Sequence, residues 1–419
     1  MGECIMELEC LGGCQEVGKN AFLLKDRNTK ILLDCGMKIQ PEPPTYPLKL
    51  GKINPDAVIL SHAHLDHSGG LPALYKKNKP KLFMTDVTLD LTNLLLKDSL
   101  KISGKKGFKS PFSKNEIKKM NRYVAIKNYY ERFNVDNFSC MLYDAGHIPG
   151  SAGVLLENKK SVFFTGDINT RETELLRPCT LPDHADILII ESTYSYKNHP
   201  PLKREEQRLL YAAHENAVKG KHLILPAFAI GRSQEVLMIL DKYSKNIIID
   251  GMIKSASEII TYYGRYLKNP KKLKRILDQV AWIHSNEDRM MAIKENYIIL
   301  STAGMLGGGP AVSYIEELKN DANTKIMFTG FLVGDSPGKK LLDTGIYDNE
   351  IRFAVKGSRE QLDLSSHAGR DGLLKIIKKL NPEKVICIHG ERCQEFAKDI
   401  KNDFGISAVA PRLGETIQL

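Results

Sequence analysis

The sequence predicts an α/β protein in two parts, and three observations carry that prediction. Short apolar runs ended by Gly, Asp or His alternate with helical stretches through the first 190 residues. A second alternation of helix and strand begins after Thr193. From about residue 367 one more helix leads into an apolar run that again ends in His. Such alternation marks sheets covered by helices, with reactive residues placed at strand ends.

In chain order, Met6–Leu11, Ala21–Leu24, Lys30–Leu33 and Val58–Leu60 read as strands, and Ser68–Leu74 as a Gly-Gly loop turning into a helix. Residues 86–98 and 114–121 have helical character, and Gly153–Leu156, Ser161–Phe164 and Ile187–Ile190 return to strand. In the second part an amphipathic helix over 203–218 precedes the strand His222–Pro226. Helix 231–243, strand Ile247–Ile249 and strands at 297–300 and 325–329 continue a doubly wound pattern. Helix 371–380 and strand Lys384–His389 follow, with no internal repeat and no low-complexity tail.

A chain of 419 residues with 42% hydrophobic and 26% charged residues has the length for two domains and the balance of a globular protein. No apolar stretch approaches membrane-spanning length, and Met1–Met6 lacks a signal core and the myristoylation pattern, so a cytoplasmic, non-membrane protein is expected. The formal charge of +10 favours a polyanionic partner. Cys4, Cys10, Cys14, Cys35, Cys140, Cys179, Cys387 and Cys393 form no Cys-x-x-Cys and read as reduced thiols in apolar strand-like contexts. Gly13–Asn20 imitates a phosphate loop, but Asn20 replaces the required Ser or Thr and a strand follows, so no nucleotide cofactor is expected.

The chemistry concentrates in Ser61-His62-Ala63-His64-Leu65-Asp66-His67, directly after an apolar strand. In an extended stretch His62 and His64 project to the same side and converge on one ion, whereas the adjacent Asp66 and His67 point differently and serve a second. A lone buried His is ordinarily a satisfied core residue, but burying three with an Asp, unpaired, is too costly for a purely structural role. Further strand ends bring His147 (Tyr143-Asp144-Ala145-Gly146-His147), Asp167 (Phe163-Phe164-Thr165-Gly166-Asp167) and His389 (Cys387-Ile388-His389-Gly390-Glu391), completing a plausible set for two metals.

These residues in this order resemble the metallo-β-lactamase superfamily and, within it, the β-CASP nucleases, over essentially the full length. Asp34 in Leu33-Asp34-Cys35-Gly36 matches the first superfamily motif; His62, His64, Asp66 and His67 match the second, His147 the third and Asp167 the fourth. Glu191 resembles β-CASP motif A, His367 in Leu364-Ser365-Ser366-His367-Ala368 motif B, and His389 motif C. The resemblance implies a four-layer αββα sandwich, residues 1–193 completed by 367–419, with an α/β β-CASP cap domain inserted over 194–366. It further implies two zinc ions, one on His62, His64 and His147, the other on Asp66, His67 and His389, bridged by Asp167, with Asp34 orienting a ligand from behind. The nitrogen and oxygen donors suit zinc and also accommodate manganese, iron or nickel.

By the same resemblance the expected reaction is hydrolysis of a phosphodiester by a metal-bridging hydroxide, leaving a 5′-phosphate and a 3′-hydroxyl. Catalytic roles fall to His367 as general acid, Glu191 as its orienting carboxylate, Asp66 and Asp34. Single-stranded RNA is expected over DNA, because the DNA-processing branch tends to carry Asp in motif A and an apolar residue in motif C. Arg232, Ser233, Ser365, Ser366 and Lys339 are the candidate substrate contacts. The resemblance is to the nuclease subunit of the cleavage and polyadenylation specificity factor and its archaeal and bacterial relatives, mainly endonucleolytic, acting on single-stranded RNA as a homodimer or in an RNA-processing complex. The alternatives are a hydrolase of another ester or lactam, a 5′→3′ exonuclease resembling bacterial ribonuclease J, and a non-catalytic RNA-binding scaffold; the intact ligand set argues against the last. With strand Met6–Leu11 beginning almost at once, no N-terminal KH-type module is expected.

Two lysine-rich stretches remain. Lys97–Lys127 includes Lys101, Lys105, Lys106, Lys109, Lys114, Lys118, Lys119 and Arg122, with Phe108, Phe112 and Tyr123 interleaved. Arg265–Arg275 includes Lys268, Lys271, Lys272 and Lys274. Basic and aromatic residues together can follow a single strand's phosphates and bases; the second run reads rather as a solvated helix face.

Overall fold

In the computed structural model, which describes residues 6–419, the chain divides into two compact units. The readings of the extreme N-terminus, Cys4 included, concern residues 1–5 and lie outside the described residues. One unit comprises the chain up to Arg171, Pro178–Asn198 and His367–Leu419; the other comprises Glu172–Arg177 and His199–Ser366.

Two seven-stranded sheets build the first unit. Edge to edge, one sheet runs Thr416–Gln418, Glu7–Gly12, Ala21–Asp26, Thr29–Leu33, Ala57–Ile59, Lys81–Met84 and Val124–Ile126. The other runs Ser407–Val409, Lys384–Ile388, Ile187–Glu191, Ser161–Phe164, Ala152–Glu157, Phe138–Asp144 and Arg132–Val135. Alternate side chains of a strand face opposite ways, so an apolar run with no alternation has to be covered on both faces. Phe22, Leu24, Ile31 and Leu33 of the first sheet meet Val162, Phe164, Ile187 and Ile189 of the second in one buried cluster. Their neighbours Leu23, Leu32, Val58 and Leu82 point outward and pack under helices through Leu71, Leu96, Ile117 and Met120. Phe163, Leu188, Ile190 and Val385 do the same beneath Arg370–Leu380 and Cys393–Phe404, through Leu373, Ile377, Phe396 and Ile400. The layers are therefore helix, sheet, sheet, helix, the expected αββα sandwich.

Thr29–Leu33 pairs in parallel with Ala57–Ile59, and Ser161–Phe164, Ile187–Glu191 and Lys384–Ile388 pair in parallel with one another. Their carboxyl ends therefore fall on one edge of their sheets, where Asp34, His62, Asp167, Glu191 and His389 stand at or just past the last paired residue. In the second unit a six-stranded, all-parallel sheet runs Ala281–Trp282, Ile247–Asp250, Ile298–Ser301, Leu223–Pro226, Lys325–Phe328, Ser358–Gln361. Ile224, Ile299 and Phe328 pack there against Ala311, Tyr314 and Leu341. Among the described residues no helix is long and apolar enough to cross a membrane. Cys10, Cys14, Cys35, Cys140, Cys387 and Cys393 are buried free thiols, and Cys179 is partly buried.

Several elements differ from expectation. The helix expected over 86–98 runs Asp86–Lys105: propensity is weak past Lys97, with two Ser and a Gly, but Leu100 packs against the core cluster and the chain turns away only at Gly107, with φ +69°. The helix expected over 231–243 ends at Ile239 and continues as a 3₁₀ stretch, Asp241–Asn246. Residues 61–64 are not extended strand. Strand Ala57–Ile59 stops short, and His64 is already the N-cap of a one-turn helix, Leu65–Ser68, with a second turn at Leu71–Leu74.

Candidate functional site

Everything that resembles a metal ligand converges inside the first unit. His62, His64, His147 and Asp167 form one cluster, Asp66, His67, Asp167 and His389 a second, each with its ligand atoms within 4.8 Å of one another. His147 Nε2 stands 3.1 Å from His64 Nδ1, and Asp167 Oδ2 lies 3.5 Å from His62 Nε2 and 3.6 Å from His147 Nε2. The other oxygen of the same carboxylate, Oδ1, lies 3.2 Å from His67 Nε2 and 3.5 Å from His389 Nε2. Asp66 Oδ2 completes that side, 3.8 Å from His67 Nε2 and 3.6 Å from His389 Nε2. Ligands about 2.0 Å from a tetrahedral ion are about 3.3 Å apart, so these spacings suit a metal on each side of Asp167. Buried His62 Nε2 and Asp167 Oδ1 have no hydrogen-bond partner in the protein, which is costly unless an ion takes them up. The residues present therefore fit a metal, and the chain has a metal-binding site.

Hydrogen bonds behind these side chains set their tautomers. Asp34, fully buried, accepts from His67 Nδ1 at 2.7 Å, so His67 keeps its lone pair on Nε2, facing Asp167. Asp34 also accepts from the Ser61 backbone N–H at 2.7 Å and the Ser61 hydroxyl at 2.8 Å, and Ser61 Oγ lies 3.1 Å from His62 Nδ1. One carboxylate thus steadies a histidine of each cluster. Gly36 makes this approach possible: a Cβ there would lie 1.7 Å from the Asp66 carbonyl oxygen.

Asn20 was missed as a site residue. Its amide nitrogen lies 2.7 Å from His389 Nδ1 and 3.0 Å from His67 Nε2, while its Oδ1 has no partner. Turned over, at the loss of its 3.3 Å bond to the Asp66 carbonyl, the amide would let Oδ1 accept from His389 Nδ1–H and leave Nε2 for a metal. The signal was the departure already noted, an Asn where a phosphate loop needs Ser or Thr. His389 itself has φ 50°, pinned by its N–H donating to Gly13 O at 2.7 Å and its carbonyl accepting from Thr193 Oγ1 at 3.1 Å.

Charge follows geometry. Burial holds His62 and His64 below the usual histidine pKa, in the neutral form a metal takes. At His67 burial is outweighed by Asp167, Asp66 and Asp34, which raise its pKa well above the ordinary histidine value, so Nε2 carries a proton until a metal ion displaces it. Asp167 is kept ionised against burial by His67 and His389. This knot of carboxylates demands positive charge, supplied by a proton or by metal ions.

His367 stands beside the clusters and belongs to neither. Its Nδ1 is 2.9 Å from Glu191 Oε1, and its Nε2 is 3.9 Å from Asp167 Oδ2. Burial disfavours its charged form, but Glu191 and Asp167 override that and push the pKa up to about 9. Glu191 is fixed in turn by backbone donors, Ile168 N–H at 2.9 Å and Thr193 N–H at 3.3 Å. Helix Arg370–Leu380 takes Gly369 as its N-cap without a side-chain bond, so His367 is not its cap.

The candidate substrate contacts lie in the other unit. Arg232 opens helix Arg232–Ile239, is largely buried and donates to Ser366 Oγ at 3.2 Å. The Ser233 hydroxyl donates to the Phe228 carbonyl, and Ser365 is buried. Lys339 is engaged by Asp343, at 2.6 and 2.8 Å, one turn along its own helix.

Three families match parts of the chain: Anti-Pycsar protein Apyc1 over residues 13–198, the Beta-Casp domain over 233–341, and the Zn-dependent metallo-hydrolase RNA specificity domain over 352–411. "Probable RNase MJ4" of Methanocaldococcus jannaschii is 37% identical, covering 99% of this chain and all of the relative. "RNase aCSPSF2" of Saccharolobus solfataricus is also 37% identical, over 98% of this chain and 85% of the relative. An "RNase J-like protein" of M. jannaschii is 33% identical, over 97% of this chain and 98% of its own length. With matches of this extent laid over an αββα sandwich and its His/Asp clusters, the chain belongs to the β-CASP metallo-β-lactamase ribonucleases.

Proposed function

We propose that the protein hydrolyses phosphodiesters of single-stranded RNA, mainly endonucleolytically, with two zinc ions. His62, His64 and His147 would hold one ion, Asp66, His67 and His389 the other, and Asp167 both. The observation that carries the proposal is His367, charged by Glu191 and aimed at the carboxylate the two clusters share. Metal ions there supply Lewis acidity toward the phosphate and a water nucleophile available near neutral pH.

The chain's own residues do the rest. Asp34, with Ser61, and Asn20 keep the histidine lone pairs directed at the site. Hydrolysis joins a water oxygen to phosphorus, that water's proton passing to solvent, and breaks the P–O3′ bond; O3′ leaves with the proton held on His367 Nε2, which solvent then restores. Glu191 holds that imidazole by Nδ1 so that Nε2 is the end presented. The products are a 5′-phosphate and a 3′-hydroxyl. The RNase names of the relatives support RNA as substrate, and the RNase J-like relative keeps 5′→3′ exonucleolysis as the second reading.

The test is cleavage of RNA labelled at the 5′ or the 3′ end, with and without chelator, comparing wild type with His367→Ala. Internal products that vanish with chelator, and fall by about 10²–10⁴-fold in the variant, are expected. Mononucleotides released from a 5′-phosphorylated end would instead establish the exonuclease, and binding without cleavage by the metal-loaded protein would defeat the proposal.

A further inference from the structure

We propose that the helices Asp86–Lys105 and Lys114–Met120, with the segment that joins them, form an RNA-backbone exosite. It would hold the part of a substrate strand that runs on beyond the scissile bond. The inference deepens the ribonuclease reading and rests on it.

The longer helix starts next to the candidate metal centre. Thr85 Oγ1 and Thr88 Oγ1 donate to the Gly150 carbonyl at 2.9 and 3.1 Å, in the loop that presents His147. Its 20 residues then carry it about 30 Å away, at ~1.5 Å per residue. Along its far half Lys97, Lys101 and Lys105 recur every fourth residue, one exposed stripe on one face. Lys114, Lys118 and Arg122 repeat the spacing on and just past the shorter helix, and exposed Lys109 lies between the two.

The decisive feature is what these cations lack. Among the described residues none of those seven has a carboxylate within 4 Å, whereas their neighbours Lys106 and Lys119 are paired, with Glu42 and Glu116. The acidic group acting on Lys101 and Lys105 is the half-buried Asp98. The other lysine-rich run is partly neutralised where it stands: Lys268 pairs with Glu172, Lys272 with Glu174 and Arg275 with Asp241. Like charges one helical turn apart work against helix stability, so a double stripe without counter-ions makes no sense as a stabilising device. It does suit a polyanion, whose bound counterions the lysines would displace. Exposed Ile102 and part-exposed Phe108 add apolar surface among the charges for unpaired bases. A helix that starts beside the His147 loop and carries the stripe on its far half is placed for the substrate's own continuation, which selects RNA among polyanions.

The test combines Lys101→Gln, Lys105→Gln, Lys109→Gln, Lys114→Gln and Lys118→Gln, since Gln matches Lys in helix propensity. Binding of metal-loaded protein, with His367→Ala added to block turnover, is read by fluorescence anisotropy across a salt series. RNAs of about 30 and about 8 nucleotides are compared, the shorter near the size of one single-strand site. For the long RNA the slope of log affinity on log salt should fall by about 3, close to ~0.7 for each phosphate that is no longer neutralised. Affinity for the short RNA and the thermal melting curve should not change, and Lys268→Gln/Lys272→Gln should leave both slopes as they were. An unaltered slope for the long RNA, or competition by polyglutamate as effective as by RNA, would overturn the exosite. Failure of the wild type to cleave any RNA would overturn the ribonuclease reading itself, and the two failures are read in separate assays.

Discussion

Asp34 is held in the left-handed region, at φ 58°, and from there one carboxylate reaches both His67 and the Ser61 hydroxyl beside His62. Asn20 does comparable work for His389, and Asn20→Ala should weaken metal retention by about 10–100-fold, as loss of a ligand's supporting partner commonly does. Metal content after dialysis against graded chelator checks this without any cleavage assay. Glu191→Gln tests the proton donor. In the wild type His367 is raised to about 9, with burial opposing and Glu191 and Asp167 winning. Metal ions on Asp66 and Asp167 remove their share, leaving Glu191 as the charge that keeps the ring protonated. The donating form is lost as pH rises through the folded pKa. The alkaline limb of the kcat–pH profile should therefore lie below about 9 in the wild type and move toward the ordinary histidine value of about 6.5 in Glu191→Gln. The same sign applies to stability: the His367–Glu191 contribution is complete below about 6.5 and disappears as pH rises through the folded value. At this scale the candidate ligands were legible, because His147, Asp167 and His389 follow apolar runs and His62, His64, Asp66 and His67 crowd into one short segment. Ser61 and Asn20 were not, because their roles exist only where segments distant in sequence meet.

Strands were legible where both faces are buried, since a run such as Ser161–Phe164 has to be apolar throughout. Phe164 lies in the cluster between the sheets, three residues before Asp167. Phe164→Ala should cost about 3–5 kcal/mol in urea unfolding, the usual range for emptying a fully buried aromatic site. The element most misjudged was helix Asp86–Lys105, whose second half offers few apolar residues to a periodicity argument. The second unit shows the opposite limit: helices Ile253–Tyr262, Pro270–Leu277 and Asn286–Lys294 are short, and their boundaries depend on caps such as Asn269 and Ser285 that resemble ordinary loop polar residues until seen in place.

Across the whole molecule, the metal centre collects residues from Asp34 to His389 and so ties together stretches of chain that the sandwich alone holds only by packing. Stripping the metals should lower the melting temperature reversibly. A site filled at about 1,000 times its dissociation constant adds about 4 kcal/mol to folding, and calorimetry before and after chelation would show it. A melting temperature indifferent to chelator would contradict the assignment of the buried, partnerless His62 and Asp167 atoms to an ion. The α/β class was readable from alternation, the αββα layering from the family resemblance, and the candidate site from strand ends and one His-rich segment. The pairing of Thr416–Gln418 with Glu7–Glu9 was not, because three-residue strands carry no periodic signal.

His389 and Asn20, 369 positions apart in sequence, meet in the candidate cluster beside Asp66 and His67. Were strand Lys384–Ile388 to part from Ile187–Glu191, that cluster would open while His62, His64 and His147 stayed together. Occupancy of one ion site alone would then serve as a gauge of whether the last strands are docked.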